Sequence, residues 1–289
     1  MNSKAWYCAA VAFCLGLLAC QSDSEVPEGS STEVVFRVVN YTQYSLDEVT
    51  RAAGTEPLSN LALGVFDAET DAPVGTMIIQ NKDDKDYGTF SIRLTRGQYR
   101  LVFLGYTSKN ECSMTTPSAV SFEKGVPNTF LYSTILTVGE DPVPVQNIVL
   151  KRAVGAFQLT LTDAIPSELA KLTLKFSGGS TTLNAKTGFA ADNAGRTYST
   201  DVESKYIGET GVTLTVFLFI PEGEAPMDIT VDALNSKGEV IHSRKFPAVP
   251  MKVNQLLNYT GEFFADPTSE LSATVTYDIK WGSEQTVNF

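Results

Sequence analysis

Histidine occurs once in 289 residues, tryptophan twice and cysteine four times, and 22 basic side chains face 33 acidic ones. Each shortage removes a class of function. A single imidazole, His242, leaves no His-rich metal site and only one conceivable Ser-His or Cys-His dyad. A net charge of −11 repels phosphate backbones, and no run of lysine and arginine offsets it, so no nucleic-acid partner is expected. What is present is ordinary globular material: 43% hydrophobic and 19% charged residues, over a length that suits two domains.

The amino terminus carries Lys4 and then the apolar run Ala9 to Ala19, too short to span a bilayer and shaped like a secretory signal peptide. It closes on Leu17-Leu18-Ala19-Cys20, which resembles the bacterial lipobox, with cleavage between Ala19 and Cys20 and acylation of the Cys20 thiolate. The bland alternative is a buried hydrophobic helix that happens to end in cysteine. With the leader go Cys8 and Cys14, and with Cys20 acylated only Cys112 is left, so no disulfide framework is expected. Gln21 to Glu25 places acids just after the anchor, either a polar linker or a sorting signal, and residues 20–32 have the composition of a tether.

From Val34 onward, short apolar or alternating runs recur at the spacing of a β-sandwich. The expected strands are 34–39, 61–66, 76–80, 89–94, 99–106, 119–122, 130–138 and 145–150 in a first series. A second series follows at 156–162, 172–176, 212–220, 227–234, 240–246 and 255–264. Thr95 to Gln98 reads as a hairpin turn between the fourth and fifth strands, and only 46–53 and 167–172 offer helical turns. The fold class is therefore all-β, two sandwiches in tandem, with a signal peptide at 1–19, a tether at 20–32 and domains at 33–152 and 153–289. The last segment alternates most cleanly: Leu271, Ala273, Val275, Tyr277, Ile279 and Trp281 share one face. It is either the terminal strand of its own domain or a strand donated to a neighbour.

Several features in order resemble the fimbrillin and fimbrial-anchor lipoproteins of the Bacteroidota type V pilus. They are the lipobox at Cys20, the strand Val34 to Val39, Leu61 to Asp67, Gly97 to Val102, the junction Lys151 to Val154, Val249 to Gln255 and Tyr259 to Phe264. The resemblance implies two transthyretin-like β-sandwiches, exported and lipid-anchored in the outer membrane at the cell surface. It implies other fimbrial subunits as partners, joined by strand exchange. In pilins of this kind a protease removes the first strand after an arginine, and Arg51-Ala52 holds the matching place here; an ordinary loop arginine is the alternative. Anchor and accessory subunits keep that strand and their lipid, and the length of the chain favours this type. A glycan-binding surface lipoprotein is a further alternative.

No cofactor, metal or catalytic site is expected. Ser121-Phe122-Glu123-Lys124 and Lys186-Thr187-Gly188 echo two signatures of penicillin-recognising serine enzymes, but Ser121 falls in a strand pattern instead of starting a helix. Asp83 to Asp86 lacks calcium-loop spacing and encloses Lys85, which suits a solvated hairpin loop. His242 reads as a partly exposed strand residue and Cys112 as a thiol in a polar loop.

Overall fold

Alternation builds the first strand. In β1 (Thr32–Tyr41) the residues Val34, Phe36 and Val38 turn inward and are buried, while Val35, Arg37 and Val39 are not. The structure, a computed structural model, describes residues 31–41, 44–45, 58–107, 111–223, 226–265, 274–277 and 287–288. β1 lies between two partners, parallel to β10 (Gln146–Arg152) along Phe36 to Tyr41 and antiparallel to β5 (Thr89–Leu94) along Thr32 to Arg37. β2 (Tyr44–Ser45) pairs the end of β1. Opposite this sheet stand β4 (Ile78–Asn81), β3 (Asn60–Asp67), β6 (Gly97–Tyr106) and β9 (Thr129–Val138), in that order and all antiparallel.

The core between them is aromatic. The Phe103 ring meets Phe36 edge-on at 5.2 Å and Phe90 at 5.7 Å, joining the two sheets. β10 belongs to both: Gln146 to Leu150 follow β1, whereas Lys151 and Arg152 pair with Leu131 and Phe130 of β9.

The second half repeats this plan strand for strand. β11 (Val154–Leu161) is parallel to β19 (Leu256–Gly261) and antiparallel to β16 (Val212–Phe219). Across a second core stand β15 (Arg196–Asp201), β12 (Lys171–Phe176), β17 (Met227–Leu234) and β18 (Val240–Val249). Hence β11, β12, β15, β16, β17, β18 and β19 match β1, β3, β4, β5, β6, β9 and β10. Phe157 takes the place of Phe36, ringed by Phe176, Phe246 and Tyr259 at 5.3 to 6.0 Å.

Insertions from both halves meet in a third sheet. β7 (Cys112–Thr116) and β8 (Ala119–Phe122) lie between β6 and β9, and β13 (Leu183–Asn184) and β14 (Phe189–Ala190) between β12 and β15. They pair in the order β14-β13-β8-β7. A third apolar core gathers Val102, Leu104 and Tyr106 of the first half, Val120, Phe122 and Leu183 of this sheet, and Ala156 and Phe219 of the second half. The sheet of β3 and β6 is therefore covered on both faces, which explains why those strands are almost continuously apolar. Gly64 is one condition of the fit, since a Cβ there would collide with the Met114 sulfur.

The junction between the halves is polar but satisfied. Buried Arg152 donates from Nε to Asn128 Oδ1 (3.0 Å) and from Nη1 to Asn254 Oδ1 (3.1 Å), and its guanidinium lies over the Phe130 ring.

Four expectations from the sequence need correction. β5 and β6 do not form a hairpin: β5 pairs with β1 and β6 with β3 and β9, so Thr95-Arg96 carries the chain from one sheet across to the other. Alternation identifies an inward face and is blind to which sheet a strand joins. By the same logic the stretch 82–88, in which Asp83 to Asp86 are exposed, links strands of opposite sheets and is not a hairpin loop. Residues 167–172 form no helix. A turn at Ser167-Glu168, with Leu169 N–H donating to the Pro166 carbonyl, leads into β12, and the one helical element among the described residues is a 3₁₀ turn at Ser204–Tyr206. Cys112 is not in a loop; it points into the third core from β7.

Candidate functional site

Sheet edges, not clefts, are the chemically distinctive surfaces of this molecule. β1 is the most consequential strand, because it alone joins β5 to β10 among the described residues and supplies three core side chains. Taking it out would uncover two ladders of backbone N–H and C=O groups and an apolar floor. Beyond β2 the chain reappears at Leu58, so Arg51 and Ala52 fall in that connection, outside the described residues. Ala19 and Cys20 also lie outside them.

Of the terminal face, Val275 and Tyr277 fall in β20 (Thr274–Tyr277), whereas Leu271, Ala273, Ile279 and Trp281 lie outside the described residues. β20 pairs antiparallel with β19, Tyr259 opposite Val275 and Leu257 opposite Tyr277, and β21 (Val287–Asn288) completes the sheet. Val275 and Tyr277 thus lie in a strand of their own sheet, where Val275 has Tyr259 on one side and Val287 on the other.

Just upstream, side chains grip the backbone. Arg244 of β18, buried, donates from Nε to the Phe263 carbonyl (2.7 Å) and from Nη2 to the Ala265 carbonyl (2.9 Å). The Phe264 N–H donates to Asp163 Oδ2. His242 packs edge-on against Phe263 and Phe264, and burial, with Arg244 nearby, holds its pKa below the ordinary value; Asp163 opposes this. None of these roles was read from the sequence, although His242, Arg244 and Phe246 share one strand parity. An arginine on the inward parity of a strand was the available signal.

Other edges carry visible protection. β16 turns its odd-numbered backbone groups outward; there Arg196 Nη1 donates to the Phe217 carbonyl (2.9 Å), and Phe219 exchanges both backbone bonds with Ser180. Burial lowers the pKa of Arg196. β18 carries Arg244, Lys245, Pro247 and register shifts, with Ala248 at φ 51°.

The rejected chemistries stay apart. Ser121 lies in β8, and Lys186 to Gly188 form the β13–β14 turn. Burial pushes the Cys112 thiol up to about 12, so no thiolate is available at neutral pH. No group of three His, Cys, Asp and Glu side chains that could hold a metal occurs among the described residues.

Comparison with known proteins places this arrangement. Residues 121–288 match DUF6562, described as a family of unknown function, and that span exceeds half of the sequence. The chain belongs to the DUF6562 family. The matched span begins inside β8 and so takes in β13 and β14 of the third sheet but not β7. No curated protein matches this DUF6562 chain. Among solved structures, a candidate adhesin from Bacteroides ovatus superimposes with a TM-score of 0.52 at 11% identity, over 80% of this chain and 88% of the other. A fimbrial assembly protein from Parabacteroides distasonis gives 0.47 at 11% identity, over 91% and 100% of the two chains. The fimbrial anchor protein Mfa2 from Porphyromonas gingivalis gives 0.45 at 12%, over 90% and 99%. At such identities the likeness is one of fold alone.

Proposed function

We propose that this DUF6562 chain is a non-catalytic surface lipoprotein, fixed to the outer membrane through Cys20. It acts in adhesion as a fimbrial anchor or accessory subunit that joins other subunits by β-strand exchange. Two sandwich domains meet at Arg152. The observation that carries the reading is the seat of β1, hydrogen-bonded on both sides and inserting Val34, Phe36 and Val38 into the core. Such a seat accepts only another extended strand with the same alternation, because main-chain bonds and apolar side chains must be replaced together. The terminal face Leu271 to Trp281 has that alternation, and part of it, β20, is already strand-paired.

Amino-terminal sequencing of protein recovered from cells tests the assignment. A blocked Cys20 marks an anchor or accessory subunit, a start at Ala52 a processed pilin, and an unmodified Met1 overturns the exported reading. Deleting 271–281 is expected to abolish complexes with other pilins; unchanged assembly removes strand donation by this segment.

A further inference from the structure

β9 presents an edge without such protection. The Ala153 N–H reaches the Thr129 carbonyl at 2.9 Å, so odd-numbered residues of β9 turn their backbone groups away from β6. Leu131 spends its pair on Lys151, after which β10 departs toward β1. Ser133, Ile135 and Thr137 then present N–H and C=O groups with no strand opposite them among the described residues. The stretch Tyr132 to Val138 contains neither charge nor proline, and Ile135 is 50% exposed.

Where β10 leaves, an open groove of about 430 Å³ forms between β9, β10 and the β13–β14 turn. Its cations are Lys151, Arg152 and Lys186, and no carboxylate lines it, in a chain of net charge −11. Arg152 is held by Asn128 and Asn254, and Lys186 pairs with Asp71 at 2.7 Å from outside the groove, while Lys151 is exposed. Ser133 Oγ is buried in the wall without a hydrogen-bond partner.

We propose that the β9 edge and this groove form a docking site for an extended, carboxylate-ended segment of another protein. The segment runs antiparallel to β9, in the line that β10 vacates. Its main chain pairs with Thr137, Ile135 and Ser133 in turn, and its C-terminal carboxylate enters the groove beside Lys151 and Lys186. The site is separate from the seat of β1 and stands whether or not the chain is a fimbrial subunit.

The test uses the intact chain and an N-terminally labelled peptide of alternating Ser and Val, as the free acid and as the C-terminal amide. The acid is expected to bind roughly tenfold more tightly than the amide, the worth of one charge-assisted contact. Lys151→Glu should remove that preference. Ile135→Pro, which deletes one outward N–H at an edge position where proline is tolerated, should abolish binding of both forms. Thr215→Pro, on the outward parity of β16, should change nothing. Undetectable binding of the acid, equal binding of acid and amide, or loss through Thr215→Pro instead of Ile135→Pro overturns the proposal. A dimer that Ile135→Pro disperses, without peptide capture, also overturns it and assigns the edge to a second copy.

Discussion

β9 and β18 hold equivalent places, each the last strand of a four-stranded sheet and each next to the strand that closes its half. In the first half the closing strand β10 bonds β9 through backbone at Lys151 and Arg152 and then leaves an uncharged edge open. In the second half the contact is made by a side chain, Arg244, and the edge is studded with charge, proline and a backbone irregularity. One topology thus permits two treatments of the same seam, and edge chemistry is set by a few residues, not by the fold. The neighbouring faces differ likewise. β3 is buried on both sides, whereas its counterpart β12 alternates exposed and covered residues, with no described element packed on its outer face.

The comparison can be broken most forcefully in the two cores. Phe36→Ala and Phe157→Ala each remove a fully buried ring, and each should cost about 3–5 kcal/mol in denaturant unfolding. Because the third core spans both halves, either variant should shift one calorimetric transition; separate transitions would show the halves to be independent. Next in size are the buried arginines. Arg244→Met frees the Phe263 and Ala265 carbonyls, and Arg152→Met strands two asparagine oxygens, each costing about 2 kcal/mol. Hydrogen exchange should rise locally around 263–265 for the first variant and on both sides of the junction for the second.

A smaller effect is pH-linked. His242 has its folded-state pKa below 6.5, so the unfolded chain takes up its proton first as the solution is acidified. Its contribution to stability is complete above 6.5 and is lost as pH falls through the lower, folded-state value. His242→Gln should flatten that slope in thermal melts between pH 7 and pH 5, a change with no counterpart at β9. Smallest of all is Ile135→Lys, which places a charge on the exposed residue of the open edge and should alter stability by less than about 0.5 kcal/mol.

Periodicity made the long strands legible: β3, β5, β6, β9, β16 and β17 lie within two residues of where alternation or apolar runs put them. Of the third sheet only β8, at 119–122, was legible. β13 and β14 are two residues each, too short for any period to register, and β7 is interrupted by polar Ser113 and Thr115 although Cys112 and Met114 share its inward parity. The crossing of β5 to β6 was hidden for a different reason: a tight turn between alternating arms serves a hairpin and a sheet-to-sheet crossing equally. In the candidate site, the alternation of Val275 and Tyr277 was plain from sequence. The open edge of β9 and the grip of Arg244 depend on which strand lies opposite, which is settled only when distant segments meet.

The placement of β1 has a mechanical consequence. Tension applied at Thr32 along the strand acts parallel to β5 and β10 together, so both ladders are loaded in shear and their bonds must yield collectively. A pull across the sheet would open them one at a time. A chain tethered through its amino terminus would therefore meet drag in its stiffest direction, and single-molecule stretching from residue 31 should need greater force than stretching from a handle attached at Ser91, in the neighbouring strand.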